Sequence, residues 1–272
     1  MNVRNLLVTF DLNYMEPFKV MISSLLINNP GEQIEVWLLH SSIPKENLND
    51  LNRYLEARHV ILHPVTIDRD VFENAPIKKR YPQEMYYRLL APHLLPDTLE
   101  RVLYLDPDIL IINPLRDLWN MDLKGNAFAA ASHTSMTDIP NDVNRVRLKT
   151  THDYYNTGVM VMDLTKARKL IKPDDIYRYV RESIIRLMLP DQDIFNALYG
   201  SATLEIDDAI WNYDVRNYSD YLFRSTGTHD IGWVMENTAI LHFCGRNKPW
   251  KPDYSRRFGI LYKHYMSLSK RS

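Results

Sequence analysis

The stretch RVLYLDPDILIINPL, residues 101–115, sets two apolar runs, 102–105 and 109–112, on either side of Asp106, Pro107 and Asp108. Short apolar runs bounded by turn residues read as buried strands. Carboxylates are rarely buried without a partner. The pair is therefore either an ordinary turn, which aspartates favour, or a ligand-binding feature at a strand end. Pro107 fixes its own φ and has no N–H to satisfy, so it stiffens the turn that aims both side chains.

Upstream, strand and helix signals alternate. NLLVTF (5–10) is a short apolar run, and Phe18, Met21, Ile22, Leu25 and Leu26 then share one helical face, stopped at Asn29-Pro30-Gly31. IEVWLLH (34–40) reads as a second strand, Ser42 to Leu55 as a helix with Pro44 near its first turn, and HVILHPV (59–65) as a third strand. A helix over 84–95 leads to the fourth strand, 101–105. This alternation predicts an α/β fold with a mostly parallel central sheet covered by helices on both faces. Such sheets bind ligands just beyond the carboxyl ends of their strands. Asp11 follows strand one, His40 follows strand two, and the carboxylate pair follows strand four.

The second half is less regular. AFAAAS (127–132), TGVMVMDL (157–164) and AILHF (239–243) read as strands, 174–188 and 191–199 as helices, TGTHDIGW as a loop, and 255–268 as an amphipathic helix. No linker interrupts the chain. The expected organisation is one catalytic domain over 1–252, with halves of about 1–115 and 116–252, and a basic aromatic tail over 253–272.

The 272 residues are 45% hydrophobic and 25% charged, which is globular composition. A net charge of -1 gives no reason to expect a nucleic-acid partner. A single cysteine, Cys244, excludes an internal disulfide and points to a reducing, cytoplasmic setting. The apolar run at the N-terminus ends at Asp11, too short for a signal-peptide core.

Asp-x-Asp supplies hard oxygen ligands and negative charge for a divalent cation. LHFCGRNKPW (241–250) adds His242 as a nitrogen donor, Gly245 to admit a phosphate near the backbone, and Lys248 as a phosphate-binding ammonium. Two carboxylates with one imidazole suit Mn2+ better than Mg2+, although Mg2+ remains possible. In YYNTGVMVMDL (154–164), Asn156 and Thr157 precede a strand where a polar side chain can meet a sugar hydroxyl. In LPDQDIFNAL (189–198), Asp191, Gln192 and Asp193 crowd one helix start, where one aspartate is expected to cap.

In order, D-x-N-Y, Y-R-L, L-Y-L-D-x-D, Y-x-N-x-G-V, D-Q-D-I-x-N and H-x-C-G-x-x-K-P-W resemble the retaining glycosyltransferases of family 8, from about residue 4 to 252. That family includes bacterial lipooligosaccharide galactosyltransferases and, more distantly, glycogenin. The resemblance implies a GT-A fold and transfer of a hexose from UDP-galactose or UDP-glucose to a glycan or glycolipid, as in lipopolysaccharide synthesis, with Mn2+. It assigns Asp106, Asp108 and His242 to the metal, and Asp106 also to the ribose. Thr9, Asp11, Asn13 and Tyr14 fall to the nucleoside, Gly245 and Lys248 to the diphosphate. Arg88, Asn156, Asp191 and Gln192 fall to the donor sugar and the chemistry. Phe10 and Leu12 depart from the family pattern. IKKRYPQE (77–84), with Lys79 and Arg80, aligns with a lid. Residues 133–153 and 201–238 match poorly and are expected to set acceptor choice.

From Lys251 to the end, basic residues rim a face of Phe258, Leu261, Tyr262, Tyr265 and Met266. Such a helix either lies on an anionic membrane or docks on its own domain. Two other functions fit fewer residues. A non-catalytic nucleotide-sugar binder would not need all three metal ligands. A haloacid-type phosphatase would carry its Asp-x-Asp on the first strand, with Thr or Val where Leu110 stands, and would use Asp207 and Asp208 as its later acids, a pair that reads more simply as a surface turn.

Overall fold

The computed structural model describes residues 3–68, 84–132, 139–183 and 187–271. Its principal sheet has the order β3-β2-β1-β4-β7-β6-β8. The strands are β1 (Val3–Thr9), β2 (Gln33–His40), β3 (Ile61–Thr66), β4 (Arg101–Leu105), β6 (Phe128–Ser132), β7 (Tyr155–Asp163) and β8 (Thr203–Glu205). Between β4 and β6 in the chain lies β5 (Ile109–Ile111), which belongs to a second, three-stranded sheet with β9 (Tyr213–Asp214) and β10 (Ile240–His242). All principal pairings are parallel except those of β7, which runs antiparallel to β4 and β6. Pro64 sits on β3, an edge strand, where a missing N–H is tolerated.

Period-two alternation divides the core. Leu6, Val8, Leu103, Leu105, Val159 and Val161 face one layer, with Phe18, Met21, Ile22 and Leu25 of helix Met15–Asn28 and Leu51 and Leu55 of helix Lys45–Glu56. Leu7, Val102, Tyr104, Met160 and Met162 face the other, under helices Glu84–Leu94, Leu164–Leu170, Pro173–Ser183 and Pro190–Tyr199. Burial on both faces is why these strands read as continuous apolar runs.

The two apolar runs of 101–115 are strands of different sheets. The Asp106-Pro107-Asp108 turn hands the chain from the principal sheet to the small one. Ile109 and Ile111 still face the first layer, while Leu110 and Ile112 turn into a third cluster with Tyr213, Val234 and Phe243. The C-terminal stretch joins that cluster. Tyr262 is fully buried and Phe258 is 2% exposed, and helix Gly259–Leu268 lies against helix Met15–Asn28. Asn28 Nδ2 donates to Tyr265 Oη at 2.9 Å. Of the two alternatives for this aromatic face, the structure takes docking on its own domain, where Phe258 and Tyr262 complete the cover over the small sheet.

Two further expectations change. The segment read as a loop over TGTHDIGW contains the start of helix Ile231–Asn237, capped by Asp230, whose Oδ1 accepts from Trp233 N at 2.8 Å. Asp207 and Asp208 are not a surface turn. Asp207 caps helix Asp208–Trp211, and buried Asp208 accepts from Tyr221 Oη at 2.7 Å. The expected lid over 77–84, with Lys79 and Arg80, lies outside the described residues apart from Glu84. Among the described residues no helix is long and apolar enough to cross a membrane.

Candidate active site

The antiparallel pairing of β10 with β5 sets His242 opposite Ile109, one residue past Asp108. Phe243 N donates to the Asp108 carbonyl at 3.0 Å and extends the pairing by one step. Residues far apart in sequence thus meet at the point where the two sheets join. Ligand atoms of Asp106, Asp108 and His242 all lie within 4.8 Å of one another. His242 Nε2 is 3.3 Å from Asp108 Oδ1 and 3.9 Å from Asp106 Oδ2.

Gly158 makes room for this cluster. Its carbonyl accepts from Asp106 N at 2.8 Å, tying β7 to the turn. A Cβ there would collide with His242 Cε1 and stand 2.8 Å from Asp106 Oδ2 and 3.0 Å from Asn156 Oδ1.

Cations balance the acids. Lys248 Nζ is ion-paired with Asp108 Oδ2 and donates to the Phe243 carbonyl at 2.9 Å. Burial opposes ionisation of Asp108, but the Lys248 ammonium and His242 outweigh it and hold the carboxyl far below its usual range. Burial likewise opposes the charge on His242, yet the Cys244 sulfur and Asp108 hold the ring well above the ordinary histidine value. On the other side, buried Arg88 reaches Asp106 Oδ1 at 3.0 Å and Asp191 Oδ2 at 3.4 Å, and donates to the Thr157 carbonyl at 2.9 Å. Its guanidinium lies over the Tyr104 ring. Tyr104 Oη donates to Asp106 Oδ1 at 2.6 Å and lies 3.1 Å from Thr9 Oγ1. Asp191 is raised by burial, only partly offset by Arg88.

The aspartates of D-Q-D separate cleanly. Asp193 is wholly buried and takes a bidentate ion pair from Arg147, with both N–O distances 2.7 Å. It also accepts from Met188 N at 2.6 Å at the start of its helix, so it is the structural one. Asp191, 5% exposed, faces Arg88 and Thr157. Gln192 Oε1 accepts from Asn156 Nδ2 at 3.3 Å. The helix is fastened to β7 by Asn196, which exchanges two hydrogen bonds with the Tyr155 backbone at 2.7 and 2.8 Å.

Two residues beyond β1, Asp11 accepts from Asn13 N at 2.9 Å and Asn13 Nδ2 at 3.0 Å. Tyr14 is half-buried, edge-on to Trp250 at 5.6 Å; burial pushes its hydroxyl up, and Lys248 counters. Gly245 has φ +87, the left-handed region that favours glycine. Arg216 Nη1 would be 3.0 Å from a Cβ on Gly245. Its guanidinium is fixed by Asp214, with Nη2 to Oδ2 at 2.6 Å. His40 is buried at the end of β2 and takes no part in the Asp106, Asp108 and His242 cluster.

Arg216, Gly158 and Asn212, which contacts His242, are residues the sequence reading missed. Only Gly158 carried a signal, as part of Y-x-N-x-G-V. The donor set itself fits a divalent cation: hard carboxylate oxygens, one imidazole nitrogen, burial, and neighbouring residues that hold each ligand in place.

Residues 5–253 match the family described as glycosyl transferase family 8. General stress protein A of Bacillus subtilis (strain 168) is 27% identical over 266 residues, spanning 96% of this chain and 92% of its own. The lipopolysaccharide 1,2-glucosyltransferase of Escherichia coli (strain K12) is 25% identical over 257 residues, 88% of this chain and 70% of that protein. Among solved structures, the galactosyltransferase LgtC, crystallised with donor and acceptor sugar analogues, has a TM-score of 0.81 at 22% identity. The match covers 97% of this chain and 95% of that one. The α/β architecture is accordingly the GT-A fold.

Proposed function

Since this chain belongs to glycosyltransferase family 8, we propose that it moves galactose or glucose from its UDP derivative to a hydroxyl of a glycan or glycolipid, with retention of anomeric configuration. Membership of the family removes the phosphatase alternative. The donor choice is supported by a glucosyltransferase relative and a galactosyltransferase fold neighbour. One observation carries the reading: two acids and an imidazole from distant parts of the chain converge beside Lys248, at the carboxyl end of β4.

Asp106, Asp108 and His242 would hold Mn2+, which when bound supplies Lewis-acid stabilisation of the departing diphosphate. Lys248 places a preorganised ammonium beside the same charge; one such contact is commonly worth about 3–4 kcal/mol of barrier. The open backbone at Gly245 admits the diphosphate, and Asp11, Asn13, Tyr14 and Thr9 flank the nucleoside. Arg88 orients the sugar and pairs with both Asp106 and Asp191. Asn156 and Gln192 bind sugar hydroxyls. Gln192 is an amide and a poor nucleophile, and Asp191 is engaged by Arg88. Attack by the acceptor hydroxyl therefore comes from the face the diphosphate leaves, and the leaving oxygen takes the proton. A sugar trapped on Gln192 or Asp191 in mass spectra would replace this route with a covalent one. We place the reaction in the cytoplasm, within one catalytic unit over 1–252.

UDP release from a panel of UDP-sugars, with Mn2+ and then with a chelator, tests the proposal. UDP-galactose or UDP-glucose is expected to turn over only with the ion. Release that ignores the chelator, or no release from any donor, overturns it.

A further inference from the structure

We propose that Asn212 is a positioning residue that fixes the ring orientation and proton placement of His242 through a relay beginning at a backbone amide. Asn212 is fully buried, between helix Asp208–Trp211 and β9, with no solvent to satisfy its carboxamide. Its partners determine which way it faces. Gly158 N–H can only donate, and it meets Asn156 Oδ1 at 2.9 Å. That makes the facing Asn156 atom an oxygen. Asn212 meets the same oxygen at 3.0 Å and must present its Nδ2 there. Its Oδ1 is then the atom 2.8 Å from His242 Nδ1, and an oxygen there demands a hydrogen on Nδ1. Nδ1 carries that hydrogen whether the ring is neutral or charged. Nε2, facing Asp106 and Asp108, is the nitrogen left to give its lone pair to a cation.

The chain of bonds thus runs from β7 through two carboxamides to the third ligand. It also touches the sugar side, because Asn156 Nδ2 donates to Gln192 Oε1. A ligating histidine whose other nitrogen is held by a fixed acceptor keeps its tautomer and its aim. Here the acceptor is a neutral amide, so it orients the ring without adding a fourth negative group to a site that already has Asp106, Asp108 and Asp214 close by.

The inference rests on reading Asp106, Asp108 and His242 as metal ligands, and the test separates the two. Free Mn2+ is titrated by EPR into the full chain in the presence of UDP. The wild type judges the metal reading. Asn212→Leu, similar in size but without an acceptor, is expected to weaken binding about 10–100-fold. Asn212→Asp keeps an acceptor for Nδ1–H and is expected to retain most of the affinity. A purely structural role would harm both alike, so equal losses overturn the proposal, as does a folded Leu variant that binds like wild type. If the Leu variant fails to fold, 15N-edited NMR of the metal-free wild type decides. A slowly exchanging proton on His242 Nδ1 supports the relay, and its absence overturns it.

Discussion

A single methyl group at Gly158 tests the geometry of the Asp106, Asp108 and His242 cluster from the side. In Gly158→Ala the new Cβ would collide with His242 Cε1 and lie 2.8 Å from Asp106 Oδ2, against an ordinary contact of 3.4–4 Å. The carboxylate must retreat by at least about half an ångström, and the ring by more. Both are held by other contacts. Asn212 grips the far side of the ring at 2.8 Å, and Arg88 and Tyr104 hold Asp106 at 3.0 and 2.6 Å. Overpacking of this sort costs about 1–3 kcal/mol, or roughly 2–4 °C of Tm per kcal/mol in a chain of this size. The larger effect is on coordination, since metal sites tolerate about 0.2 Å in ligand distance. Mn2+ affinity is expected to fall about 10–100-fold, with donor turnover falling alongside. Gly232→Ala, whose Cβ would meet only Asp230 at 3.2 Å, is the control and should bind as wild type. Calorimetry with Mn2+ and UDP reads both. A Gly158→Ala protein that binds the ion as tightly as wild type would refute the packing argument.

Other outcomes follow from the same contacts. Burial raises Asp191, so the folded chain holds its proton to higher pH than the unfolded one, and stability is lost as pH rises through the folded value. Asp191→Asn should therefore melt higher than wild type near pH 7, with the gap closing on acidification to about pH 4, below which both side chains are neutral; a constant gap would contradict the cause given. Asp193→Asn breaks a buried bidentate pair and should lose about 3–5 kcal/mol in urea denaturation, while Mn2+ affinity in the folded fraction stays unchanged. Deleting residues 259–271 removes Tyr262, whose ring lies 5.2 Å from that of Phe243 in the third core cluster, so the truncated chain should unfold at lower urea in plain buffer, without any lipid present. Equal stability would mean that the helix is not part of the core.

The principal sheet was legible because β1, β2 and β4 are buried on both faces and leave largely apolar runs. The Asp-x-Asp turn was legible for the same reason, since it interrupts such a run. What hid the small sheet was length: β5, β9 and β10 have two or three residues each, too few to show a period. Helix Ile231–Asn237 hid behind a glycine at its second position and a cap that looks like turn chemistry. Lys248 and His242 could be nominated from their motif, and His242 grouped with Asp106 and Asp108 by the family resemblance, but the Asn212 contact could not. Asn212 and Arg216 matter through β9, and nothing in local sequence says that β9 pairs beside β10. The tail stayed open between two readings because the pattern of an aromatic face with a basic rim is the same whether protein or lipid covers the face.

Lys248 pressed against Asp108 means the chain carries its own exchangeable counter-ion. A divalent cation arriving alone must evict that ammonium and strand it in a half-buried place. Arriving with a diphosphate, it offers the displaced lysine a new anionic seat. Ion and nucleotide should consequently load as a cooperative couple, each tightening the other, with replacement of Lys248 by methionine flattening that synergy.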